Sequence, residues 1–177
     1  MNRLDRMVWV DLETTGLDPA KDVILELAIT ITDGDFTLLD YEHWVVARCV
    51  PEERQPAHPI VQGMHDKSGL WEECRMARLG LATVEEEAVS FLKRVAPDYK
   101  GPICGASPHF DMSFLKVELP KLAAMFNHRT FDVSTLKQFL MQKTGEPWPK
   151  GKEAHRALPD ILESIEVAKQ FARVVCP

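Results

Sequence analysis

Val8-Trp9-Val10-Asp11-Leu12-Glu13-Thr14-Thr15-Gly16-Leu17 is an apolar run that carries two carboxylates at alternate positions and then breaks at a glycine. Side chains two apart on a strand point to the same face. Asp11 and Glu13 are therefore expected side by side at the end of a buried strand. Two like charges held that close repel, and taking them out of water is costly. A divalent cation relieves both penalties, and hard oxygen ligands suit Mg²⁺ or Mn²⁺. Alone, such a pair also reads as a solvated strand edge, so the rest of the chain must discriminate.

The 177 residues fit a single domain, 1–177, around one core. Hydrophobic residues make up 45% and charged residues 27%, an ordinary globular balance. No apolar run reaches the roughly 18 residues needed to span a membrane. The opening residues Met1 to Arg6 lead straight into the first strand, so no signal peptide is expected. Cys49, Cys74, Cys104 and Cys176 have neither zinc-site nor disulfide-framework spacing, and a reducing cytoplasm is the expected compartment. The net charge of −6 argues against a protein that grips long nucleic acid over its whole surface. A small nucleotide held at one metal site remains compatible with it.

Working outward, residues 23–33 and 36–46 read as two more strands joined at Asp33-Gly34, a hairpin signal. Glu26, inside the second strand, is expected to pair with a local donor. Residues 47–59, with Pro51, Pro56 and Pro59, read as a loop, and 59–79 as short helical pieces around Gly63 and Gly69. Thr83-Val84-Glu85-Glu86 matches a capping box. Val84, Ala88, Phe91, Leu92 and Val95 then follow at helical spacing up to Pro97. A short strand at 102–105, a helix at 111–118 and a shorter one at 120–126 come next. A strand at 131–133, a helix at 134–142 and a loop over 144–152 follow. The last helix is expected over 157–173, with Ile161, Leu162, Ile165, Ala168, Phe171 and Ala172 inward. Three hairpin-joined strands, then strands alternating with helices, predict an α/β fold: a mixed sheet, three strands antiparallel and the rest parallel, flanked by helices.

Four carboxylates and a histidine stand out by placement. Asp11 and Glu13 end the first strand, Asp111 opens a helix, and His155 and Asp160 lie five apart at the start of the last helix. Asp111 and Asp160, taken singly, could merely complement helix dipoles. Their order along the chain, Asp-x-Glu, then Asp, then His-x₄-Asp, resembles the DEDDh family of 3′→5′ exonucleases, which have a ribonuclease H-like fold. Asp11 to Leu17, Ile103-Cys104-Gly105-Ala106-Ser107, Asp132-Val133-Ser134-Thr135-Leu136-Lys137 and His155-Arg156-Ala157-Leu158-Pro159-Asp160 resemble the oligoribonuclease branch in particular.

The resemblance implies hydrolysis of very short RNA, dinucleotides above all, to 5′-mononucleotides. It implies two Mg²⁺ or Mn²⁺ ions, one held by Asp11, Glu13 and Asp160, the other by Asp11 and Asp111. It casts His155 as the general base for water, a role its ordinary pKa near 6.5 permits. Ser107, Arg129, Ser134 and Thr135 would cap the substrate's 5′ phosphate, the arginine through its planar fork. Ser134 and Thr135 also read as plain helix caps. Leu17 would form one wall of a base sandwich. The family is homodimeric and its site borrows from the neighbouring subunit, so a homodimer is expected.

The chain departs from the family pattern in places. Ala106 stands where asparagine is usual, and Pro108-His109-Phe110 precedes Asp111. His128 replaces a tyrosine that reaches across the dimer. Ile60 occupies the position nearest the family's stacking tryptophan, with Trp71 eleven residues on, and Pro159 stands where an acid is common. His65 matches a family histidine with no role assigned. His109 could line the cleft or cap a loop. Trp148 and Lys150 lie in the loop before His155, where Trp148 is expected to be packing. Two alternatives follow: a DEDDh exonuclease acting on longer RNA 3′ ends or single-stranded DNA, and a non-catalytic nucleotide-binding or scaffold protein on the same fold.

Overall fold

The computed structural model describes residues 5–48, 59–148 and 155–175. One five-stranded sheet has the order β3-β2-β1-β4-β5. The strands are β1 (Met7–Thr14), β2 (Ile24–Thr32), β3 (Leu38–Val45), β4 (Ile103–Gly105) and β5 (Thr130–Asp132). β1, β2 and β3 pair antiparallel, whereas β4 runs parallel to β1 and β5 parallel to β4. This is the predicted mixed sheet.

β1 lies between β2 and β4, and its two faces feed different cores. Val8, Val10 and Leu12 pack with α3 (Leu81–Val95), α4 (His109–Glu118) and α5 (Pro120–Ala123). Met7 and Trp9 pack with α6 (Val133–Thr144) and α7 (Ala157–Val175). Period-two alternation carries Asp11 and Glu13 onto the second face. Every residue of β2 is buried, so this strand shows no alternation for sequence to display. α1 (Pro59–Ser68) and α2 (Leu70–Met76) cover its end through Leu70, Trp71 and Cys74 against Leu25.

Several expectations need correction. The β2–β3 connection is no two-residue hairpin. Asp33 Oδ1 accepts from the amides of Asp35 and Thr37, at 2.8 and 2.9 Å, and shapes a longer turn. Phe36 leaves the predicted strand with φ of 64° and sets its ring 6.1 Å from both Trp9 and Phe131. Thr83 caps nothing: α3 begins two residues earlier, with Gly80 at its N-cap. Glu85 instead turns inward and accepts from the Lys121 amide at 2.7 Å, holding the start of α5. Asp132 caps α6 by accepting from the Ser134 amide, so Ser134 and Thr135 are inside the helix rather than its caps. α7 continues to Val175, and Leu162 faces outward on it. Most of the predicted 47–59 loop and residues 149–152 of the 144–152 loop, with Lys150, lie outside the described residues. Among the described residues no helix is long and apolar enough to cross a membrane.

Candidate active site

The carboxylates singled out in the sequence converge at the end of β1. Asp11, Glu13 and Asp160 each offer a ligand atom, and these atoms all lie within 4.8 Å of one another. Asp111, in the first turn of α4, is buried, and its Oδ1 accepts from the Leu12 amide at 3.0 Å. Four acids from β1, α4 and α7 thus meet at one place, Glu13 and Asp111 buried and Asp11 and Asp160 half-buried.

Their proton affinities record the crowding. Burial pushes the Asp11 carboxyl well up, and Asp111, Glu13 and Asp160 push it further. Glu13 rises to about 8, through burial first and then the charges of Asp160 and Glu26. Burial raises Asp111 to about 7 against the pull of the Leu12 amide. Asp160 rises to about 6 through burial, with His155 opposing. Carboxylates so arranged fit a divalent cation, whose charge would offset the repulsion and whose oxygen preference matches the donor set.

His155 immediately precedes α7 in a left-handed backbone conformation, φ 48°. His65 lies against Glu13 from α1. Its Nε2 meets the carbonyl of Thr14 at 2.9 Å and therefore carries the proton, since a carbonyl only accepts. Its Nδ1 is left facing Glu13 Oε2 at 3.9 Å with no hydrogen bond, and Trp71 packs edge-on against the ring. Trp71 is only 7% exposed, whereas Leu17 and Ile60 are 79% and 68% exposed. The tryptophan is therefore core, and the two open apolar side chains are aliphatic.

Ser107, Ser134 and Thr135 also gather. Ser107 and Ser134 hydroxyls lie 3.1 Å apart. Asp132 Oδ1 accepts from the amides of both serines at 2.9 Å, and the Thr135 hydroxyl is 3.5 Å from Oδ2. Ser107 has φ of 57°, which turns its hydroxyl back toward α6. His128 and Arg129 are not brought to this cluster. They precede β5, whose parallel register with β4 sets Thr130 beside Ile103 and Asp132 beside Gly105. Arg129 lines an open hollow at the opposite end of the strands with Asp5, Arg6, Lys100 and Asn127. His109 sits exposed at the start of α4, and Trp148 packs on the α7 core with Lys137 over its ring.

An exonuclease family model, RNase_T, matches residues 8–168. An oligoribonuclease of Pseudomonas aeruginosa is 37% identical over 97% of this chain and 96% of its own length. The chain belongs to the oligoribonuclease family of exonucleases. A probable oligoribonuclease of Dictyostelium discoideum is 38% identical over 96% of the chain and 90% of its own length. The fold also matches the zinc-bound crystal structure of an E. coli ExoI–ssDNA complex, with a TM-score of 0.73 at 17% identity over 98% of the chain. That likeness supports the ribonuclease H-like architecture, and the chain spans 41% of the ExoI chain. The nuclease reading in the sequence thus stands, as does its assignment to this branch.

Sequence reading missed three contributors. Asp132 stands in the sequence as the first letter of a motif, yet it organises both serines. Glu73, on α2, gave no signal. Arg156, between His155 and Asp160, carries no signal of its own in the sequence, although it bridges Glu73 to Glu26. The donor expected for Glu26 is therefore far from local in sequence.

Proposed function

We propose that this protein is a metal-dependent 3′→5′ exoribonuclease that cuts short oligoribonucleotides, dinucleotides especially, into 5′-mononucleotides. The observation that carries the reading is the meeting of Asp11, Glu13 and Asp160 within 4.8 Å, with buried Asp111 beside Asp11. Two Mg²⁺ or Mn²⁺ ions are proposed, one held by Asp11, Glu13 and Asp160 and one by Asp11 and Asp111. When bound, such ions supply charge stabilisation for an in-line displacement at phosphorus.

The residues of the chain do the rest. His155 takes a proton from the attacking water, the new O–P bond forms, and the P–O3′ bond breaks. The 3′ oxygen leaves with the upstream nucleoside and gains a proton. The hydroxyls of Ser107, Ser134 and Thr135 hold the 5′ phosphate, which limits how much chain fits. Leu17 forms one wall against the base. His128 and Arg129 sit at the far end of β5, so a cap that includes them is completed by a second copy of the chain, in a homodimer.

A second reading, cleavage of longer RNA 3′ ends or single-stranded DNA, is favoured by one observation: the exposed walls Leu17 and Ile60 are both aliphatic and hold a base less firmly than an aromatic would. A length series decides between them, using 5′-labelled RNAs of two to seven nucleotides and matching DNA with Mn²⁺ in substrate excess. Fastest cleavage of the dinucleotide supports the first reading. Equal or faster cleavage of longer substrates replaces it with the second.

A further inference from the structure

The start of α7 is held from two other elements by one guanidinium. Arg156 Nε and Nη2 each donate to Glu26 of β2 at 3.0 Å. Its Nη1 and Nη2 donate to Glu73 of α2 at 2.7 Å each. The Ala157 amide donates to Glu26 Oε2 at 3.1 Å. Two edges of the planar fork are thus filled, an arrangement that an ammonium cannot reproduce.

This clamp lies between candidate catalytic groups on both sides. One residue upstream, His155 holds a left-handed conformation that a residue with a side chain adopts only when its surroundings enforce it. Downstream, the Asp160 amide donates to the Arg156 carbonyl at 3.1 Å, the first helical bond into the metal-acid turn. Glu26 is 1% exposed and pairs with Glu13 across β1 and β2, so the clamp is referenced to the strand that carries the acids.

Stability alone is a poor reason for such a group. Buried ion pairs are often no more stabilising than apolar residues of the same size. Two carboxylates on one cation also leave a net negative charge beside a site already crowded with acids. What the arrangement does supply is fixed direction, because both carboxylates constrain the guanidinium plane and hence the peptide between His155 and Ala157.

We propose that Arg156, clamped by Glu26 and Glu73, is a positioning residue that sets the His155 imidazole over the β1 carboxylates. The inference rests on the reading of His155 as general base. It also ties α2, and with it the α1–α2 pair that bears Ile60 and His65, to the start of the catalytic helix.

The test is a double-mutant cycle in the full-length protein, with Mn²⁺ and a 5′-phosphorylated diadenylate. Arg156→Lys and Glu73→Gln are each made alone and with His155→Ala. Arg156→Lys is expected to lower kcat about tenfold or more, and Glu73→Gln about threefold, with KM within about twofold. Mn²⁺ affinity by calorimetry is expected to stay within about twofold. In the His155→Ala background the same changes are expected to alter the residual rate less than about twofold. Equal losses in both backgrounds overturn the inference, as does an unchanged kcat with a lowered melting temperature. Should Arg156→Lys fail to fold, Glu73→Gln decides by the same cycle, because the Glu73 side chain is 47% exposed and leaves the Glu26 pair intact. A wild-type rate in His155→Ala itself would overturn the reading of the base and the inference with it, an outcome distinct from the other two.

Discussion

The Leu12 amide donates to Asp111 Oδ1 at 3.0 Å. This bond joins the head of α4 to the strand that carries Asp11 and Glu13, and it stabilises the ionised form of a carboxyl that burial would otherwise keep protonated. Burial and mutual repulsion favour protonation of this acid cluster, and a divalent cation would favour its ionised form.

A pH dependence follows with a definite sign. Glu13, Asp111 and Asp160 are raised from 4.5, 3.8 and 3.8 to about 8, 7 and 6. Between those limits the folded metal-free protein binds more protons than the unfolded chain, so its stability falls as pH rises from about 4 toward 8. A divalent cation binds the deprotonated acids and reverses the trend. Thermal unfolding without metal is expected to give a lower Tm at about pH 8 than at about pH 5.5. Added Mn²⁺ should raise Tm more at the higher pH, with proton release seen by calorimetry in two buffers. A metal-free Tm that is flat over this range would contradict the account.

Asp11→Asn separates stability from activity. Asp11 is pushed up by burial and by three neighbouring acids of the site, so removing its charge relieves repulsion without a change of shape. The metal-free variant is expected to gain about 1 kcal/mol, roughly 2–4 °C in Tm for a chain of this size. Its phosphodiesterase activity should fall by about 10³-fold or more, because the residue is proposed to touch both ions. A variant that is inactive and less stable would place Asp11 among structural residues. Retained activity would remove it from the site.

How far such features could be read in advance depended on how local their causes are. Asp11 and Glu13 were legible because period two alone fixes their face. The acids of α4 and α7 were legible from order along the chain. β2 hid its alternation because it is buried on both sides. Phe36 looked like a strand residue, and only the aromatic packing against Trp9 and Phe131 explains its left-handed turn. Thr83 carried a capping signature that lost to Gly80, since α3 starts where the core under Val84 and Ala88 sets it. The Glu26–Arg156–Glu73 clamp joins three distant segments, and no spacing rule reports a contact of that kind.

Asp132→Ala tests the proposed phosphate-binding role of the Ser107–Ser134 cluster. Its carboxylate caps α6 and also fixes the Ser107 amide, so its loss should cost about 1 kcal/mol in stability. The backbone amides of Ser107 and Ser134 would lose the acceptor they share, and with it the placement of the paired hydroxyls. KM for a 5′-phosphorylated dinucleotide is expected to rise about tenfold, as for one hydrogen bond to a charged group lost through misplaced serine hydroxyls. KM for the same dinucleotide without its 5′ phosphate should change less than about twofold. Equal rises for both substrates would show that Asp132 supports the site generally and not the phosphate.

Ile60→Trp tests whether Leu17 and Ile60 act as the proposed walls against the substrate base. Leu17 and Ile60 are both largely exposed, while Trp71 is held in the α1–α2 core by its bond to the Gln62 carbonyl and cannot swing out cheaply. An indole at position 60 adds a stacking face, worth about 1–3 kcal/mol per base. The dinucleotide KM is therefore expected to fall by about fivefold or more, with kcat little changed, since the added binding is uniform through the reaction. A seven-nucleotide RNA that must pass the same walls but meets the phosphate cluster should gain less. If both lengths gain equally, position 60 contacts the terminal base alone and length is set elsewhere. If neither gains, Ile60 does not face the substrate, and the second wall opposite Leu17 belongs to another residue.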